Sequence, residues 1–129
     1  MKSFKEFLGK ISDNSLGIER KDMPQVPKIE YQDFVDYARY HGIRVDEKVG
    51  MNPQELLPVQ STFKDKTAKE LIKITDMTRP IIISKDHYVI DGHHRWIVGQ
   101  LQDMKKVTCT IINLNVDQAL KLMGDYNNG

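Results

Sequence analysis

The stretch from Arg79 to Trp96 constrains the fold of this chain more than any other. Ile81-Ile82-Ile83 is a run of three β-branched apolar residues, the composition of a buried strand. Lys85-Asp86 supplies a turn and His87-Tyr88-Val89-Ile90 a return strand, so the pattern predicts a β-hairpin over 80–90. Asp91-Gly92 follows directly, and a helix is expected to start at His93 or His94 and run to about Asp103. Gly92 lets the backbone turn sharply and lets a ligand approach it closely. The first N–H groups of a helix have no internal partner, and its dipole favours an anion there. His93, His94 and Arg95 add side-chain donors, and Arg95 can grip a phosphate through two parallel hydrogen bonds. Cations at this end oppose the dipole, so helix stability does not explain them, whereas a bound anion would offset the conflict.

The rest of the chain supplies elements around this unit. Phe4, Phe7, Leu8 and Ile11 share one side of an expected amphipathic helix over 3–11. Ser12 to Lys28 contains Gly17, Pro24 and Pro27, and reads as an extended arm or linker that wraps over the domain or a partner, or else stays mobile. A helix is expected over Ile29–His41, stopped by Gly42, then a short strand over Ile43–Val45. Asn52-Pro53-Gln54-Glu55 signals a short helix or 3₁₀ turn. Thr67-Ala68-Lys69-Glu70 is a capping box, with Thr67 the expected N-cap of a helix to about Asp76. Trp96 and Gly99 are expected to pack the helix after the hairpin closely against the core. Val107–Leu114 reads as a strand, and Asn115-Val116-Asp117-Gln118 caps a last helix that Gly124 stops, leaving a frayed tail over 125–129. The expected organisation is an arm over 1–28 and one domain over 29–124, of mixed α+β class.

Charge and cysteine content narrow the function. The 129 residues include 19 basic and 18 acidic ones, a formal net charge of +1. Such a chain has no global basic field for nucleic acid, so any polyanion contact must come from a local cluster. Cys109 is the sole cysteine and lies in an apolar alternating run, so it reads as a buried structural thiol. With no internal disulfide possible, a reducing cytosol is the expected compartment. No stretch approaches the roughly 18 apolar residues of a membrane span, and the N-terminal segment, which carries Glu6, does not read as a signal peptide. Structural zinc is not expected: His93 and His94 would project about 100° apart on a helix, and Cys109 lies elsewhere. Magnesium held jointly by Asp91 and a nucleotide is the more natural metal, because that ion keeps waters and uses few protein ligands.

The run Arg79-Pro-Ile-Ile-Ile-Ser-Lys-Asp-His-Tyr-Val-Ile-Asp-Gly-His-His-Arg-Trp96 resembles the core of the ParB/sulfiredoxin superfamily, in particular its stand-alone phage and bacterial ParB-like nuclease domains. Leu57-Pro58-Val59-Gln60 resembles the Pro-x-Gln element that precedes the first long helix there. The resemblance covers roughly 55–114 and implies a small mixed sheet with helices packed on it. It also implies a phosphate site at the Asp91–Arg95 loop, serving a nucleotide such as CTP, ATP or ADP, with magnesium, or a nucleic acid. Partitioning members hydrolyse CTP with a Gly-Glu-Arg-Arg loop, sulfiredoxins use Gly-Cys-His-Arg with ATP, a serine-kinase branch uses ADP, and some members are nucleases. His93 stands where sulfiredoxins carry their cysteine, so that chemistry lacks its nucleophile. Too little chain follows Leu114 for the DNA-binding and dimerisation domains of partitioning proteins.

The expected function is therefore phosphate-ester chemistry, as a nucleotide-dependent phosphotransferase, an NTPase or a nuclease. The alternatives are a non-catalytic nucleotide- or DNA-binding module and an interaction protein with a vestigial loop, docking or self-associating through residues 1–28. His93 or His94 would be the acid or base, with Asp91 orienting a histidine, holding metal or capping the helix. Gly92, His93, His94 and Arg95 would hold phosphate. Gln60 and Ser61 would bind phosphate or base, or only close a turn. Lys64 or Lys66 would reach a phosphate, and Arg79 would close the pocket or stay exposed. Glu55 and Glu70 are candidate bases by sequence proximity alone.

Overall fold

The alternation of side chains along a strand explains why Ile81, Ile82 and Ile83 are all apolar. The computed structural model describes residues 3–129, so the first two residues of the expected arm lie outside the described residues. Strand β2 (Ile81–Ser84) is an interior strand, buried at every position. Ile82 faces one layer of helices, while Ile81 and Ile83 face the other. With β1 (Val45–Met51), β3 (Val89–Asp91) and β4 (Val107–Ile112) it forms a four-stranded sheet in the order β1-β4-β2-β3. β2 runs parallel to β4, and the outer pairs β1/β4 and β2/β3 are antiparallel. The molecule is thus a mixed α+β fold.

Five α-helices cover the two faces among the described residues. On one face, Phe34, Val35 and Ala38 of α2 (Tyr31–Tyr40) and Ala119 and Met123 of α5 (Val116–Asn128) pack with Ile82, Ile90 and Ile112. On the other, Ile11 of α1 (Phe4–Asp13), Leu71 of α3 (Ala68–Ile74) and Trp96, Ile97 and Val98 of α4 (His93–Leu101) pack with Ile81, Ile83, Val89 and Cys109. The caps lie where the sequence places them: Thr67 Oγ1 accepts the Glu70 N–H, and Asn115 with Gln118 forms a reciprocal capping box. Cys109 is fully buried, and burial pushes its thiol up to about 12. The close packing expected at Gly99 is present, since a Cβ there would meet Val107 Cγ1 at 2.8 Å. No helix among the described residues is long and apolar enough to cross a membrane.

Two expectations need correction. The strand expected over Ile43–Val45 is β1, which starts at Val45 and runs to Met51. Its pairing shifts between Asp46 and Val49, where Lys48 adopts φ +56°, and this bulge breaks the period-two pattern. Gly124 does not stop the last helix, and 125–128 are not frayed. Tyr126 packs edge-on against Phe34 and Tyr37, and Asn127 Nδ2 donates to the Gln25 carbonyl at 3.2 Å. These contacts outweigh the cost of about 1 kcal/mol for a helical glycine. Of the alternatives for the segment over 12–28, the structure takes the arm that wraps over the domain, since Met23 and Val26 are buried in the α2/α5 layer. Residues 18–28 form a strap along the Pro-x-Gln segment: Ser61 N–H donates to the Ile18 carbonyl at 2.7 Å, and Arg20 N–H to Thr62 Oγ1 at 2.8 Å.

Candidate functional site

The hairpin delivers its last residue, Asp91, to the mouth of a cleft, and α4 starts two residues later. Gly92 between them is the N-cap, at φ +100° and ψ 31°, in the left-handed region that glycine enters without strain. No side chain caps α4. The space a side chain would take at Gly92 is occupied by the Arg95 guanidinium, whose Nη2 lies 2.6 Å from where a Cβ would stand. Glycine is thus required twice, for the turn and for the room.

Arg95 is buried, with 6% of its surface exposed. Its Nη2 donates to Asp91 Oδ2 at 2.8 Å, an ion pair one helical turn in length. Its Nε is buried without a hydrogen-bond partner. Burial lowers the guanidinium pKa, and the Asp91 carboxylate opposes that shift. Asp91 also accepts, at the long distance of 3.5 Å, the Val26 N–H of the strap. Asp91 therefore neither caps α4 nor orients a histidine, and both of its oxygens are engaged by protein donors.

The two histidines tie α4 to the upstream segment. Leu57–Gln60 runs beside β3, with Leu57 N–H donating to the His87 carbonyl and Val89 N–H to the Leu57 carbonyl. His93 Nε2 accepts the N–H of both Val59 and Gln60, at 3.0 and 3.1 Å. Burial, aided by His94, lowers its imidazole to about 3. His94 Nε2 accepts the Lys64 N–H at 3.1 Å, and its ring meets Phe63 edge-on. Burial and the charges of Lys64, Arg20 and Arg95 lower it to about 4. Near neutral pH both rings are uncharged, and because Nε2 accepts in each, the ring proton sits on Nδ1. Each ring has committed its basic nitrogen to the backbone.

A cleft of about 300 Å³ opens over this framework. Arg20, Lys64, Arg79 and Arg95 bring four cationic groups to its walls, against the two carboxylates of Asp76 and Asp91. Gly92, His93, His94 and Gln60 line it as the sequence predicts, although the Gln60 side-chain amide donates to the Thr62 carbonyl. Arg79 lines it while donating to the Val26 carbonyl at 2.9 Å. Ser61 and Lys66 are not brought to the cleft. Ser61 bonds the strap through its backbone, and Lys66 is exposed in the turn before α3, where Lys64 takes the inward position. Glu70 is exposed at the start of α3, its carboxylate accepting from Thr67 Oγ1 at 3.1 Å, and Glu55 is exposed, so neither proposed base is on the wall. Trp96 packs beneath the loop, donating to the Pro53 carbonyl at 2.7 Å.

Sequence reasoning missed Arg20, Gln25, Thr75 and Asp76. The strap residues carry no local signal of where they dock. Asp76 lies only three residues before Arg79 and was within reach. No group of three or more His, Cys, Asp or Glu side chains able to hold a metal ion occurs among the described residues. Asp91 fits poorly as a magnesium ligand while Arg95 and Val26 hold its oxygens, so the donor set favours an ion carried by a ligand's own phosphates. Comparison with protein-family models, curated proteins and solved structures finds no match.

Proposed function

We propose that the cleft at the start of α4 binds the phosphates of a nucleotide, in a domain of the ParB/sulfiredoxin kind. The observation that carries this reading is Arg95. It is a buried guanidinium on the cleft wall with an unpartnered Nε, beside an uncapped helix start and three further cations. An anion there would accept from the first-turn N–H groups, balance the charge of the guanidinium and its neighbouring cations, and offset the dipole conflict.

The same geometry favours binding over general-base hydrolysis. His93 and His94 act as hydrogen-bonded struts whose remaining N–H groups can only donate. Asp91 is paired, and Asp76 is held by Thr78 and Lys28. Transfer of a phosphoryl group would rest on charge stabilisation by the arginines and on a base from the acceptor substrate.

Calorimetric titration with ADP, ATP, CTP and GTP in magnesium buffer, with turnover followed in parallel, tests the reading. At least one nucleotide should bind, and Arg79→Ala should weaken it about tenfold or more, the loss of one charge-assisted contact. Binding of none of the four, with the protein folded, refutes it. Turnover abolished by His94→Ala would instead restore a catalytic imidazole.

A further inference from the structure

The strap lies outside the segment whose pattern suggests a phosphate site, yet it builds part of the cleft. Arg20, Gln25, Val26 and Pro27 form one wall. The strap is held to the body through site residues: Val26 N–H meets Asp91, and the Val26 carbonyl accepts from Arg79. At its other end Arg20 is fixed through its backbone N–H to Thr62, which leaves its guanidinium exposed on the cleft side. That guanidinium has no carboxylate partner among the described ion pairs, whereas the adjacent Lys21 pairs with Glu19. Arg20 and Lys64 both lie close enough to His94 to act on its charge.

We propose that Arg20 is a ligand-binding residue and that an anion in the cleft clamps the strap of residues 18–28 onto the body of the protein. The inference rests on the phosphate-binding reading. Four cations and two carboxylates line the cleft, and the cation that Arg20 carries on the strap wall faces an excess of like charge on the body, which weakens the hold on that end of the strap. An anion between Arg20 on the strap and Lys64, Arg79 and Arg95 on the body turns that repulsion into a bridge. The Val26 contacts carry the effect along the strap, because Arg79, which a phosphate would meet, donates to the Val26 carbonyl, and Asp91, which accepts the Val26 N–H, is the ion-pair partner of Arg95.

ADP and inorganic pyrophosphate are suitable probes, read by calorimetry and by amide hydrogen exchange over 18–28. With wild-type protein the probe should bind and exchange over 18–28 should slow. Arg20→Gln should weaken binding about tenfold and abolish the slowing, while Lys21→Gln should change neither. Wild-type binding with an unchanged affinity in Arg20→Gln overturns the role of Arg20 and leaves the phosphate reading standing. An equal loss in Lys21→Gln overturns it too, since bulk charge then explains the effect. Failure of wild-type protein to bind either probe removes the inference, and the reading beneath it falls as well when ATP, CTP and GTP also fail to bind.

Discussion

Gly92 and the residues that lean on it set the chemistry of the cleft. A side chain at position 92 would need φ +100° and would strike the Arg95 guanidinium. Gly92→Ala is therefore expected to cost about 1–3 kcal/mol, read as a lower urea midpoint with an unchanged slope. The histidines give a second expectation. His93 and His94 have folded-state values lowered to about 3 and about 4, against the ordinary 6.5. A depressed histidine pKa means that the unfolded chain binds the proton first. Its contribution to stability is full above about pH 6.5 and is lost as the pH falls towards the folded value. Unfolding should take up about one proton at about pH 6.5, rising to close to two near about pH 5, above most carboxylate titrations, each worth about 1.4 kcal/mol per pH unit at full occupancy. Urea denaturation across that range checks the slope, and His93→Gln should remove about half of it. A flat profile contradicts the neutral, buried state of both rings.

The helices, strands and strap differ in how openly the sequence announces them. Thr67 and Asn115 carry their capping chemistry within four residues, so α3 and α5 have readable starts. Ile81–Ile83 and Val107–Ile112 are apolar enough to be read as strands without knowing their partners. β1 is harder, because Asp46, Glu47 and Lys48 face an edge and the bulge at Lys48 breaks the alternation. The end of α5 was illegible for another reason: what overrides Gly124 is contact with Phe34, Tyr37 and Gln25, far away in sequence. The N-terminal segment shows the same limit, since its amphipathic side is visible but its docking place is not. Ile11 is only 7% exposed and sits in the cluster with Leu71 and Trp96. Ile11→Ala should accordingly cost about 2–4 kcal/mol, measured by thermal or urea unfolding. A change below about 0.5 kcal/mol, as for an ordinary surface site, would mean that α1 is not docked in solution.

The whole molecule is nearly neutral, yet its charges are unevenly placed. A formal charge of +1 coexists with a cleft where four cations meet two carboxylates. The loop half of that cleft was legible, because Asp91 to Arg95 are contiguous and their backbone setting follows from hairpin and helix signals. In the other half, Lys64 and Arg79 were candidates from their places beside the capped helix and the hairpin, whereas Arg20 is brought in by tertiary packing that no short window of sequence encodes. Packing also changed the role of individual residues: Arg95, expected to grip a phosphate through two parallel hydrogen bonds, has its Nη2 committed to Asp91, and His93 braces the Pro-x-Gln segment while His94 braces Lys64. The most direct test is to titrate ADP, ATP, CTP and GTP in turn, each with magnesium, into nitrogen-15-labelled protein and follow the amide shifts. The largest changes should fall on the amides of Gly92, His93, His94 and Arg95, with a second group on Lys64, Arg79 and the strap. Saturable shifts confined to another face, or none at all in the folded protein, would contradict a phosphate site at the start of α4.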